Sequence, residues 1–206
     1  MEKTWLKHYP KGVPASIDVE QYTSLVALIE ESFKKYRDLP AYKFMGKTIT
    51  FGQVDDLSRA FAAYLQAQGF ARGDRIAIMM PNVPQYPVAV AAILRAGYVV
   101  VNVNPLYTPR ELEHQLKDSG AKAIVMVENF ATTLQQVLPN VPAKKVILTA
   151  LGDMLATTTC LTGVAGSTAC SVAAKFSRMT MASAPLSFNW CSSSRGVYSG
   201  LTLTTT

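Results

Sequence analysis

The sequence predicts an α/β fold in which helices cover both faces of a parallel sheet, followed by an irregular tail. Three observations predict it. From residue 51 to residue 148, segments of helical and strand character alternate without a break. The order helix, glycine, strand occurs three times, at Gly69, Gly97 and Gly120. The strand segments RIAIMM, YVVVNV and AIVMV are continuous apolar runs, the pattern of strands buried on both faces.

The elements follow in order. Residues 1–22 carry Pro10 and Pro14 and read as an extended lead-in. Ser24 is placed to cap a helix over about 25–36, where Leu25, Leu28, Ile29, Phe33 and Tyr36 recur at helical spacing. Two short strands at 41–44 and 47–50 flank Met45-Gly46. Thr50-Phe51-Gly52-Gln53 is a capping box, and the helix it opens presents Val54, Leu57, Phe61, Tyr64 and Leu65 on one face. After the strand at 75–80, prolines 81, 84 and 87 fit only before or in the first turn of a helix. That helix is apolar nearly all round and is expected to be buried. A second capping box, Thr108-Pro109-Arg110-Glu111, opens a helix with Leu112 and Leu116 as its buried stripe. A short helix near 130–138 and a strand at 145–148 follow. The strands at 75–80, 98–103 and 123–127 are the expected central strands of the sheet.

Composition divides the chain. Residues 1–155 hold 17 Lys and Arg and all 14 Asp and Glu, whereas residues 156–206 hold Lys175, Arg178 and Arg195 and no acid. All three cysteines (Cys160, Cys170, Cys191) and 19 Ser and Thr lie in this last stretch. Three units are therefore expected: 1–49, a lead-in helix and hairpin; 50–155, the α/β body; and 156–206, a low-complexity tail. The tail's composition favours an out-of-frame or misjoined end over a natural disordered extension. The net charge of +6 is spread along the chain and forms no concentrated basic patch, so nucleic acid is not an expected partner. Cysteine spacings of 10 and 21 residues give neither a Cys-x-x-Cys zinc motif nor a disulfide framework. The longest apolar run, 88–94, is far short of the roughly 20 residues that cross a bilayer. No secretory signal follows Met1, and the expected location is the cytoplasm.

No residue is assigned a catalytic, cofactor-binding or metal-binding role. Gly46-Lys47-Thr48 ends like a phosphate-binding loop, but Ala41 stands where that motif needs glycine, and a hairpin surrounds it. Gly163 to Thr168 is rich in small residues, yet no strand precedes it and no lysine closely follows. His114 reads as an exposed helical residue. Asp55-Asp56 and Glu111/Glu113 read as acids suited to helix N-termini. The loops expected to carry function follow the strands: Pro81-Asn82, residues 102–107 and Glu128-Asn129. In open parallel sheets, ligands bind at the carboxyl ends of strands.

Four segments carry a resemblance. They are Thr50-Phe51-Gly52-Gln53; GDRIAIMMPN from Gly73 to Asn82; Leu94-Arg95-Ala96-Gly97; and NVNPLYTPREL from Asn102 to Leu112. Together they resemble the N-terminal part of adenylate-forming, AMP-binding enzymes. The continuation EHQLKDSGA to Ala121, and the opening Trp5-Leu6 with Tyr9-Pro10, are similar to bacterial long-chain fatty acid–CoA ligases in particular. The likeness covers residues 1 to about 155. It implies a partial N-terminal subdomain of that fold. It implies, for the full-length family, conversion of fatty acid, ATP and coenzyme A to acyl-CoA, AMP and pyrophosphate through an acyl-adenylate, with Mg²⁺ as cofactor. It also leaves open peripheral contact with the inner face of the membrane.

The family's Ser/Thr/Gly-rich loop ending in lysine, its ribose-holding acid and its C-terminal domain with the adenylation lysine are not identifiable here. The chain is therefore expected to bind none of these cofactors and to be inactive by itself. Other acyl- or aryl-CoA ligases, and a non-catalytic stand-alone binding domain, are the alternatives.

Overall fold

The computed structural model describes residues 3–155 and 181–182 of the 206. The expectations for the remaining tail, including Gly163 to Thr168 and the three cysteines, lie outside the described residues. A 3₁₀ turn at Thr4–His8 interrupts the otherwise irregular lead-in. Helix α1 spans Leu25–Lys35, with Ser24 Oγ accepting from the Ala27 amide at 3.1 Å. Strands β1 (Pro40–Phe44) and β2 (Lys47–Thr50) form an antiparallel hairpin. It turns at Met45 and Gly46, whose φ angles are 45° and 81°. Gly46-Lys47-Thr48 thus sits at a hairpin turn, without the strand-to-helix geometry of a phosphate loop.

Helix α2 (Phe51–Ala67) starts with the expected box: Thr50 Oγ1 accepts from the Gln53 amide, and Gln53 Oε1 accepts from the Thr50 amide. Then come β3 (Arg75–Met79), α3 (Gln85–Arg95), β4 (Val99–Asn102), α4 (Pro109–Ser119), β5 (Ala123–Val127), α5 (Ala131–Val137) and β6 (Lys145–Thr149). Helix α4 carries the second box, with Thr108 and Glu111 bonded reciprocally. It ends at Gly120, whose φ of 64° is the left-handed region that glycine enters with least strain.

The second sheet runs β4-β3-β5-β6-β7, where β7 is Met181–Ala182. Strands β4, β3, β5 and β6 are parallel, and β7 pairs antiparallel with Val146 and Ile147. The central position expected for 98–103 is corrected: among the described residues β4 is an edge strand. After β4 the chain crosses back and lays β5 on the other side of β3, which leaves β4 one neighbour. Its burial agrees, since Val99 is 44% exposed while every residue of β5 is buried.

Side-chain alternation along the strands separates two cores. On one face Ile76, Ile78, Ala123 and Val125 pack with Phe61 and Leu65 of α2 and Ala92 and Ile93 of α3. On the other face Ala77, Met79, Ile124 and Met126 pack with Leu112 and Leu116 of α4 and Leu134 and Val137 of α5. Helices therefore cover both faces. A third cluster, around Phe33, Ile49, Val54, Val88 and Ala91, joins α1 and the hairpin to α2 and α3.

The acids read as helix-end partners divide. Glu111 serves the α4 N-terminus, Glu113 pairs with Lys117, and Asp56 pairs with Arg37. Asp55 does something else. It lies beyond the first turn of α2, is buried, and bonds Arg95 of α3 at 2.5 Å and Arg59 at 3.1 Å. Arg95 continues to Ser58 Oγ and to Glu30 of α1, and its guanidinium lies over the Phe33 ring. One buried cation thus ties three helices together.

Candidate functional site

Strand order decides where a site can lie. From β3 the chain steps to β4 on one side. It then returns to the other side and continues outward through β5 and β6. The winding reverses between β3 and β5. Because the helices that follow these two strands lie on opposite faces, the carboxyl edge there is the switch point at which such sheets usually form a ligand crevice. Two of the three loops singled out from the sequence border it: Pro81-Asn82 after β3 and Glu128-Asn129 after β5. The third, residues 102–107, follows the edge strand and lies one strand away.

Gln85 opens α3 and is only 5% exposed. Its Nε2 donates to the Ala150 carbonyl at 2.9 Å, which ties the start of α3 to the loop after β6. Its Oε1 is buried and accepts nothing from the described residues. Beyond β6, Asp153 Oδ2 accepts from Thr149 Oγ1 at 2.9 Å and from the Ala150 amide at 2.8 Å. Burial, and secondarily the Asp153 carboxylate, hold the Glu128 carboxyl above its ordinary value. At this edge a buried Gln85 Oε1 thus lacks a partner among the described residues, and the Glu128 carboxyl is held above its ordinary value.

The 102–107 loop is held internally. Tyr86 Oη donates to Asn102 Oδ1 at 2.9 Å, Gln115 Nε2 donates to the Asn102 carbonyl at 2.8 Å, and Asn104 Oδ1 accepts from the Leu106 amide. His114 is exposed, as expected, and lines a shallow groove of about 470 Å³ between α4 and α5 with Arg110, Lys117 and Gln136. Among the described residues no three His, Cys, Asp or Glu side chains converge to hold a metal ion. The sequence reading missed Gln85 and Asp153. Gln85 had a signal, since it is a polar residue opening an otherwise apolar helix whose first turn is buried.

Parallel strands with helices on both faces define the class: an open α/β fold rather than an all-β or bundled one. The AMP-binding enzyme family matches residues 29–186, and the chain belongs to that family. It is 57% identical over 156 residues to a long-chain-fatty-acid–CoA ligase of Yersinia pestis and 54% identical over 156 residues to that of Haemophilus influenzae. Each comparison covers 75% of this chain and 28% of the relative, so the chain spans little more than a quarter of the length of these relatives. It is homologous to their N-terminal region. The solved structure of an Archaeoglobus fulgidus long-chain-fatty-acid–CoA ligase superposes with a TM-score of 0.57 at 23% identity, over 63% of this chain and 29% of that one. That likeness speaks for the fold.

Proposed function

We propose that this chain is the N-terminal part of an ATP-dependent long-chain fatty acid–CoA ligase and that residues 1–206 alone do not complete the reaction. The whole enzyme joins the fatty carboxylate to AMP with release of pyrophosphate, then transfers the acyl group to the thiol of coenzyme A with release of AMP. The observation that carries this reading is the 57% identity to a long-chain ligase over three quarters of the chain.

The chemistry explains the proposed inactivity. A carboxylate is a poor electrophile until adenylated, and adenylation needs charge stabilisation at the triphosphate. The described residues do not fit a Mg²⁺–ATP site. Its phosphate-gripping loop is not among them, and Asp153 already accepts two internal hydrogen bonds. This part instead supplies the parallel sheet and the crevice against which the remaining portion assembles. The three-unit division at residues 49 and 155, a cytoplasmic location and peripheral contact with the inner membrane face belong to the same proposal.

Purified chain given palmitate, ATP, Mg²⁺ and coenzyme A should release no pyrophosphate above background. Fatty acid-dependent pyrophosphate release from this chain alone would overturn the reading.

A further inference from the structure

Two consecutive side chains at the start of α3 reach opposite ends of the parallel sheet. Gln85 Nε2 donates to the Ala150 carbonyl, just past β6, at 2.9 Å. Tyr86 Oη donates to Asn102 Oδ1, at the end of β4, at 2.9 Å. Strands β4 and β6 are the outermost of the four parallel strands, with β3 and β5 between them. Their ends stand three strand spacings apart, roughly 14 Å. The turn that carries the pair is stiff. Pro84 and Pro87 bracket it, and each ring fixes its own φ. Val83 is buried in the core, and its carbonyl accepts from the Tyr86 amide. Gln85 is itself buried, and the Tyr86 ring packs on the same core as Val83. The Gln85 amide has one usable orientation, because turning it would set its oxygen against the Ala150 carbonyl.

We infer that Gln85-Tyr86 is a cross-sheet brace: it holds the loop after β4 and the loop after β6 in fixed relation, so that the two loosen together rather than one at a time. Each loop gives the brace a firm handle. On the β4 side the Asn102 carbonyl also accepts from Gln115 Nε2, and the Val103 and Tyr107 amides donate to the Ile78 and Asn104 carbonyls. On the β6 side the Ala150 amide donates to Asp153 Oδ2, and the Asp153 amide donates back to the Ala150 carbonyl. A shift of either handle is passed to the start of α3, which yields only by lifting Val83 and Gln85 out of the core. Neither hydrogen bond is strong alone, and the coupling arises because both hang on one seated turn. Ligands of open parallel sheets bind beside such strand ends, so a contact made to one loop is felt at the other. The inference uses contacts within the described residues and no part of the ligase reading.

Hydrogen exchange of the full chain, read by mass spectrometry, tests this. Gln85→Met keeps the side-chain length and removes the bond to Ala150. Tyr86→Phe keeps the ring in the core and removes only the hydroxyl. A neutral hydrogen bond is worth about fivefold in a local opening equilibrium. Each variant should therefore speed exchange by about fivefold over 103–107 and over 150–153 alike. Ser24→Ala is the control: it removes a helix cap of similar worth outside both loops, and it should speed neither. If Gln85→Met loosens only 150–153 and Tyr86→Phe only 103–107, the two bonds are separate ties and the proposal is overturned. Unchanged exchange in both variants would overturn it too. So would an equal effect of Ser24→Ala, since the loops would then follow global stability. Should Gln85→Met fail to fold, Tyr86→Phe decides by whether its effect reaches 150–153. None of these outcomes depends on ligase activity.

Discussion

Replacing Arg95 by methionine should destabilise the protein by about 3 kcal/mol, the lower end of what removing one partner of a buried ion pair costs. The Arg95 side chain is 8% exposed and that of Asp55 11%, so the pair lies largely out of water. Arg95 donates to Asp55 Oδ1 at 2.5 Å, to Ser58 Oγ at 2.5 Å and to Glu30 Oε1 at 3.1 Å. The first two are enclosed, and their loss dominates. Glu30 is 44% exposed, so its pairing contributes at most about 1 kcal/mol. The figure stays low because Asp55 keeps Arg59 Nε at 3.1 Å and is not left wholly unpaired. Urea denaturation followed by circular dichroism measures the change. With a slope of about 2 kcal/mol per molar urea, the midpoint should fall by about 1.5 M. A cycle with Asp55→Leu isolates the pair: the double variant should be less destabilised than the two single variants together by about 2 kcal/mol. If Arg95→Met costs under about 0.5 kcal/mol, or the cycle is additive to within about 0.5 kcal/mol, the cation does not hold the three helices and the reasoning fails.

Gly120→Ala should cost about 1–2 kcal/mol in the same assay, because its φ is 64° and the added Cβ, 3.8 Å from Arg75 Nη1, meets no steric obstacle that would confuse the result. Thr108→Ala should cost about 1 kcal/mol through loss of the α4 cap. The hydrogen bonds from Thr108 hold the Glu111 carboxyl below its ordinary 4.5. A depressed folded-state pKa gives stability that is present above the unfolded value and lost as pH falls through the folded one, so the Glu111 contribution should fade below pH 4.5 in both proteins, and the gap to Thr108→Ala should narrow only by the part the Thr108 hydroxyl supplies, because the backbone amide bond remains. Glu128 is shifted the other way, with protonation favoured in the fold, so its charge opposes folding at neutral pH. Glu128→Gln should therefore be neutral or stabilising at pH 7, and that gain should vanish in acid, where the native carboxyl is protonated.

The element list was legible because each element is written locally. Ser24, Thr50 and Thr108 form their caps within three residues, Gly120 ends α4 by its own backbone, and continuous apolar runs mark strands wherever they lie in the sheet. The candidate site was legible only in outline. Two loops that border the crevice were recognisable as strand-to-helix connections, but Gln85 meets the Ala150 carbonyl across 65 residues of chain. Local patterns determined the α/β class, the caps, the hairpin that disqualifies Gly46-Lys47-Thr48, and a family likeness. Strand order, the edge position of β4, the crevice between β3 and β5 and the conversion of Asp55 from a helix-end acid into the partner of Arg95 were decided by the tertiary structure. These depend on which apolar faces find each other across intervening chain, and a one-dimensional pattern records that a face is apolar without recording what will cover it.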